Sequence, residues 1–194
     1  MPRIEPNSEP IIEPILAWNL GPDYPRWTEV LRDQTIVLIR PIGKQDMEHE
    51  RTFIEALSPR SRRFRFLGQV REPSSELIRQ LTDIDYSQDV AFAAVLADCT
   101  EEIFLGISRY STSRDGTSCE CAITVHDEWH YKGLGTILMR HLIEVARARG
   151  IREMISIDSA ANVEMAEFAK FLGFTTCIDP EDRTQVIHTL RLQP

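Results

Sequence analysis

Apolar and polar positions follow two different periods along this chain, and the changes of period mark its elements. Thr35 to Ile42 (T-I-V-L-I-R-P-I) is β-branched and apolar, which predicts a strand that Gly43 breaks. Lys44 to Leu57 shifts to helical spacing, with Met47, Phe53, Ile54 and Leu57 as inward residues. Ser58-Pro59 suits the start of a second helix, since serine caps and proline is tolerated in the first turn. Pro73 to Thr82, opened by Ser74-Ser75, reads as a third. Three short apolar runs follow: Asp89 to Ala97, Ile103 to Ser111, and Ser118 to Val125. A turn at Asp98–Glu102 and the hairpin signal Ser113-Arg114-Asp115-Gly116 separate them, so they predict an antiparallel meander.

Beyond the meander, Leu134, Ile137, Leu138, Leu142 and Val145 recur at helical spacing. Arg147 and Arg149 favour the negative end of that helix, and Gly150 fits the position just past it. Ile151 to Ile157 then reads as a strand, and strand–helix–strand implies a parallel pair with a right-handed crossover. Val163 to Leu172 is a further helix ended by Gly173, and Phe174–Ile178 and Thr184–Leu190 are late strands. The fold class is α+β: a mixed, mostly antiparallel sheet flanked by helices. Residues 34–194 read as one domain, and residues 1–33 as a proline-rich N-terminal arm. Ile11, Ile12, Ile15, Leu16 and Trp18 in the arm suit packing on the domain or on a second subunit, so a homodimer fits.

Composition removes several function classes. The 194 residues carry a net charge of -8, which argues against general nucleic-acid or anionic-membrane binding. No apolar run is long enough to cross a bilayer, and the N-terminus lacks a secretory pattern, so the expected location is cytoplasmic. Cys99, Cys119, Cys121 and Cys177 lack metal or redox spacing and read as reduced thiols. His126, Asp127 and His130 find no third ligand at proper spacing, so no metal is expected. His49, His141 and His188 read as ordinary surface or semi-buried residues. Arg60, Arg62, Arg63 and Arg65, interleaved with Phe64 and Phe66, have the composition of an RNA or nucleotide-phosphate patch, but one short patch in an acidic chain reads rather as a solvated helix face over a core.

The stretch Trp129-His130-Tyr131-Lys132-Gly133-Leu134-Gly135-Thr136 carries candidate chemistry. It stands where a strand becomes a helix, and its glycines let a ligand approach backbone N–H groups at the positive end of the helix dipole. That arrangement holds a phosphate or pyrophosphate. The Rossmann fingerprint would need a third glycine and an early βαβ unit, and the P-loop would need Gly-Lys-Ser/Thr; neither is present.

The layout resembles the GNAT N-acetyltransferase family. His130-Tyr131-Lys132-Gly133-Leu134-Gly135 is similar to its acyl-CoA motif, Gln/Arg-x-x-Gly-x-Gly/Ala. Asn162 followed by Leu172-Gly173-Phe174 is similar to its second signature. A narrower resemblance is to the GNAT domain of bacterial Pat-type protein lysine acetyltransferases. It rests on Leu57-Ser58-Pro59-Arg60-Ser61, Arg65-Phe66, Ile84-Asp85-Tyr86, Ser108-Arg109-Tyr110, and Glu120 to Val125 with Trp129.

The resemblance implies acetyl-CoA as co-substrate and a primary amine as acceptor, a protein lysine in the Pat-type enzymes. Glu120 would be the general base, in an apolar setting that raises its pKa. Ile123, Thr124 and Val125 would line the pantetheine arm, with the Val125 N–H at the developing oxyanion. His130, Tyr131, Lys132, Gly133, Leu134, Gly135 and Thr136 would form the pyrophosphate end, and Asn162 would bond pantetheine or cap the following helix. Two positions depart from the family: His130 replaces Gln or Arg, and Ala169 stands where many members place an acidic Tyr. A small amine acceptor (polyamine, amino acid or drug) and a non-catalytic acyl-CoA-binding module are the alternatives.

Overall fold

The computed structural model describes residues 26–68, 72–97 and 102–192. Eight strands form one sheet: β1 (Trp27–Val30), β2 (Ile36–Pro41), β3 (Asp89–Leu96), β4 (Gly106–Thr112), β5 (Ser118–Val125), β6 (Glu153–Ser159), β7 (Thr175–Ile178) and β8 (Gln185–Arg191). Their spatial order is β1-β2-β3-β4-β5-β6-β8-β7. Every neighbouring pair is antiparallel except β5 and β6. That one parallel pair is joined by the helix α4 (Leu134–Ala148), the crossover the strand–helix–strand pattern predicts.

The apolar run of β3 has no polar alternation because both of its faces are covered. Val90, Phe92 and Ala94 join one buried cluster with Leu134, Leu138, Leu142 and Val145 of α4. Ala91, Ala93 and Val95 join another with Phe53 and Ile54 of α1 (Met47–Ala56) and Ile78 of α3 (Ser75–Thr82). The sheet is thus the middle of three layers, and its helices pack on both faces. Ser74 caps α3, its hydroxyl accepting from the Leu77 amide at 3.1 Å. Ser58 caps α2 (Pro59–Phe66) in the same way, accepting from the Ser61 amide at 3.1 Å.

Several local expectations change. Lys44 to Asp46 forms a 3-10 turn ahead of α1, and Met47 faces solvent rather than the core. The strand expected from Ile103 begins at Gly106, and Ile103 is exposed. His141 and His188 are buried because each has a polar partner inside. The His141 ring stacks on Trp27 at 4.2 Å and its Nε2 meets Glu29 Oε1 at 2.7 Å. His188 Nδ1 meets Thr176 Oγ1 at 2.8 Å. Trp27 and Glu29 thereby tie β1 to α4, upstream of the domain start that the sequence pattern places at Gln34. The arm through residue 25 and Cys99 lie outside the described residues. No helix among the described residues is long and apolar enough to cross a membrane.

Candidate active site

The parallel pair β5–β6 is short. Ser118, Cys119 and Glu120 pair with Glu153, Met154 and Ile155, and the two strands then part. Strand alternation fixes which backbone groups face the gap. Thr117 O accepts from Arg152 N on the β6 side at 2.8 Å, whereas Ser118 O and His126 N bond towards the β4 side, each at 2.9 Å. The odd-numbered residues of β5 therefore turn their N–H and C=O groups towards β6. Past Glu120, those of Ile123 and Val125 face a gap instead of a strand.

That gap widens into a cleft of about 870 Å³. Ala122 to Val125 line one wall, Ser156, Ile157 and Asp158 of β6 the other, and Gly133 to Thr136 one end. Helix α5 (Val163–Phe171) adds Met165, Phe168 and Phe171, and α2 adds Arg60, Phe64, Arg65 and Phe66. Glu120, Ile123, Thr124, Val125, His130, Tyr131, Gly133, Leu134, Gly135, Thr136 and Asn162 all line this one cleft. Lys132 does not. Its ammonium lies 4.2 Å from the centre of the Trp129 ring and 3.1 Å from Asp33 Oδ2, so its charge is spent within the protein.

The glycine loop has the conformation that its composition allows. Gly133 has φ +91° and caps α4, leaving the first amides of that helix open. A Cβ on Gly135 would come within 3.3 Å of Phe168 Cζ and 3.6 Å of Ile123 Cδ1, so a side chain fits here only if the Phe168 ring gives by a few tenths of an ångström. His130 turns back from the loop, and its Nε2–H donates to Val125 O at 2.9 Å. Asn162 Oδ1 accepts from Met165 N at 3.3 Å, the capping role, while the residue also lines the cleft.

Glu120 stands at the last β5–β6 register pair, where the cleft opens. Its side chain is exposed, which corrects the expected apolar setting. Alternation buries Cys119 and Cys121 on the other face and leaves Glu120 towards α2 and solvent. Burial pushes the Cys119 thiol up to about 12 and drives Cys121 higher still. Neither thiol ionises near neutral pH, so neither serves as a nucleophile.

The sequence pattern favours a solvated face for α2, whereas the structure makes it a wall of the cleft. No residue of α2 is buried, yet Arg60, Phe64, Arg65 and Phe66 border the cleft. The readable signal is the lack of an apolar stripe in a helix that still carries two phenylalanines. Desolvation, with Arg109 nearby, brings Arg65 down to about 10, still charged at neutral pH. Behind it, Arg109 Nη2 donates to the buried Glu50 Oε1 at 2.9 Å. Among the described residues, no cluster of histidine, cysteine and carboxylate side chains could hold a metal ion.

The sequence profile described as Acetyltransferase (GNAT) family matches residues 51–174, and the chain belongs to that family. It is an N-acetyltransferase. It is 50% identical over 166 residues to acetyltransferase PA5475 of Pseudomonas aeruginosa, covering 86% of this chain and 89% of that protein. Among solved structures, the GNAT domain of S. lividans PAT superposes with a TM-score of 0.79 at 26% identity, covering 87% of this chain and 99% of that one. The cAMP-binding acyltransferase of Mycobacterium smegmatis shares the fold with a TM-score of 0.61 at 20% identity, covering 88% of this chain and 48% of that one.

Proposed function

We propose that this chain transfers the acetyl group of acetyl-CoA to a protein lysine, with Glu120 as general base. The observation that carries this reading is the position of Glu120, solvent-accessible at the fork where the β5 amides lose their partner strand. The family uses acetyl-CoA, and the residues here fit it: open amides at the start of α4, a glycine with little room for a Cβ, and a strand edge at Ile123 and the Val125 N–H that has no partner strand. Gly133 to Thr136 would hold the pyrophosphate, with Tyr131 beside them. Ile123 and Thr124 would line the pantetheine arm, and Asn162 would fix the start of α5 next to it.

A lysine amine has a pKa near about 10.4, so it must lose a proton before it attacks. Glu120 accepts that proton, directly or through one water, and the exposed fork gives a long side chain room to reach it. The Val125 N–H, turned to the gap, would bond the thioester oxygen as negative charge develops there. Buried Cys119 and Cys121 stay protonated, which favours direct attack over a cysteine-bound acetyl group. Their reduced state also fits a cytoplasmic location.

The acceptor class is tested by thiol release from acetyl-CoA, with a lysine-rich protein and with a panel of polyamines, amino acids and aminated drugs. Preferential turnover of the protein supports the reading. Turnover confined to one small amine would replace it with a small-molecule acetyltransferase.

A further inference from the structure

The family motif begins with Gln or Arg, and here that position is His130. Its ring donates to Val125 O at 2.9 Å and so points back into β5. Lys132, the other cationic side chain of the loop, is held by Asp33 and the Trp129 ring. The loop itself thus offers no free positive side chain. The turn between β1 and β2 lies against it, with Arg32 N donating to Lys132 O at 3.1 Å. The Lys132–Asp33 ion pair at 3.1 Å is a second link between turn and loop.

These links bring the Arg32 side chain over Gly133. A Cβ built on Gly133 would lie 3.5 Å from Arg32 Nε and 3.6 Å from Arg32 Cγ. Arg32 lines the cleft, and among the described residues its guanidinium makes no ion pair or side-chain hydrogen bond. The other arginines of the cleft are placed differently. Arg60 meets Glu164 at 3.4 Å, and Arg65 lies among Arg109, Glu50, Asp158 and Glu120. An uncommitted guanidinium beside open helix amides is suited to phosphate oxygens, which it binds in a forked geometry.

We infer that Arg32, from the turn between the first two strands, supplies the side-chain cation of the pyrophosphate subsite that His130 does not. This rests on the acetyl-CoA reading of the cleft. Arg32 would donate its guanidinium hydrogens to the pyrophosphate while the Gly133–Thr136 backbone bonds the same group from the other side. His130 would be a positioning residue that anchors the loop to β5.

Calorimetric titration of the full chain with CoA and with 3′-dephospho-CoA tests this, using wild type, Arg32→Ala, Arg32→Gln and Arg32→Lys. Arg32→Ala and Arg32→Gln should each weaken both ligands about tenfold, the size of one charge-assisted hydrogen bond. Arg32→Lys should recover part of that loss, and the loss should shrink in high salt. Unchanged affinity in both neutral variants would overturn the inference while leaving the acetyl-CoA reading intact. A loss seen with CoA but absent with 3′-dephospho-CoA would also overturn it, since the contact would then be to the 3′-phosphate. No binding of CoA by wild type would instead remove the reading on which it rests.

Discussion

Asp127 accepts a hydrogen bond from the Ser61 hydroxyl at 2.7 Å, joining α2 to the turn that leads into the glycine loop. The same carboxylate takes the Ser58 hydroxyl at 2.8 Å and the Ser58 amide at 2.9 Å. One side chain thus fastens the wall that carries Arg60, Phe64 and Arg65 to the strand end that carries Val125. Partial burial works against its ionisation, but the Ser58 amide and the two hydroxyls outweigh that and hold its pKa at about 2.

A carboxylate whose pKa is lower in the folded protein stabilises it above the unfolded value near about 3.9. That contribution, about 1–2 kcal/mol, is present at neutral pH and fades as pH falls from about 4 to about 2. Asp127→Asn should therefore lower stability at pH 7 and flatten the acid limb of the stability curve. Urea titrations at a series of pH values check it. An acid limb identical to wild type would mean that Asp127 is not coupled to folding.

Glu120→Gln should lower kcat by about 10²- to 10³-fold, in the range removed with a general base, and leave CoA affinity as it was. Steady-state kinetics with calorimetry separate the two effects. A variant with undiminished kcat would exclude Glu120 as the base.

Gly135→Val should harm both fold and cleft. Its branches would press on Phe168 and Ile123, which stand only 3.3 Å and 3.6 Å from where its Cβ would sit. Overpacking of this kind costs about 1–3 kcal/mol. Thermal unfolding should report the loss, and Phe168→Leu in the same chain should restore part of it. If the double variant is no better than the single one, the clash lies elsewhere.

Glu50→Ala should be among the more damaging substitutions outside the cleft. Glu50 is 2% exposed and receives Arg109 Nη2 at 2.9 Å. Removing the carboxylate leaves a guanidinium with little access to water, a loss of about 3–5 kcal/mol. Urea unfolding of Glu50→Ala, Arg109→Met and the double variant measures the coupling. Additive losses would show that the two charges do not depend on each other.

The elements that can be read from sequence are those whose signal is local. The crossover helix announces itself by Leu134, Leu138, Leu142 and Val145, and α2 and α3 by their serine caps; all are where the pattern puts them. The cleft residues on β5 and the loop are legible because one strand and one turn carry them in succession. The opposite wall is not. Asp158 reaches the cleft only because β6 leaves β5 after Ile155, and nothing in Ile151 to Ile157 encodes that departure. Arg32 lies far along the chain from the loop it touches, with three strands and three helices between β1 and β5. The sequence neighbours of Glu120 are apolar and suggest apolar surroundings, but those neighbours face the other way.

The parting of β5 from β6 has a thermodynamic side. Ile123 and the Val125 N–H are left without a partner strand, and on the proposed reading an extended acyl-pantetheine chain would take up those bonds as a strand would. Bound acetyl-CoA would then be part of the fold as well as a reactant. A ligand held only by the folded state raises its stability with concentration, by about 2.7 kcal/mol at a hundredfold excess over Kd. Resistance of the chain to unfolding and proteolysis should rise and fall with the supply of acetyl-CoA.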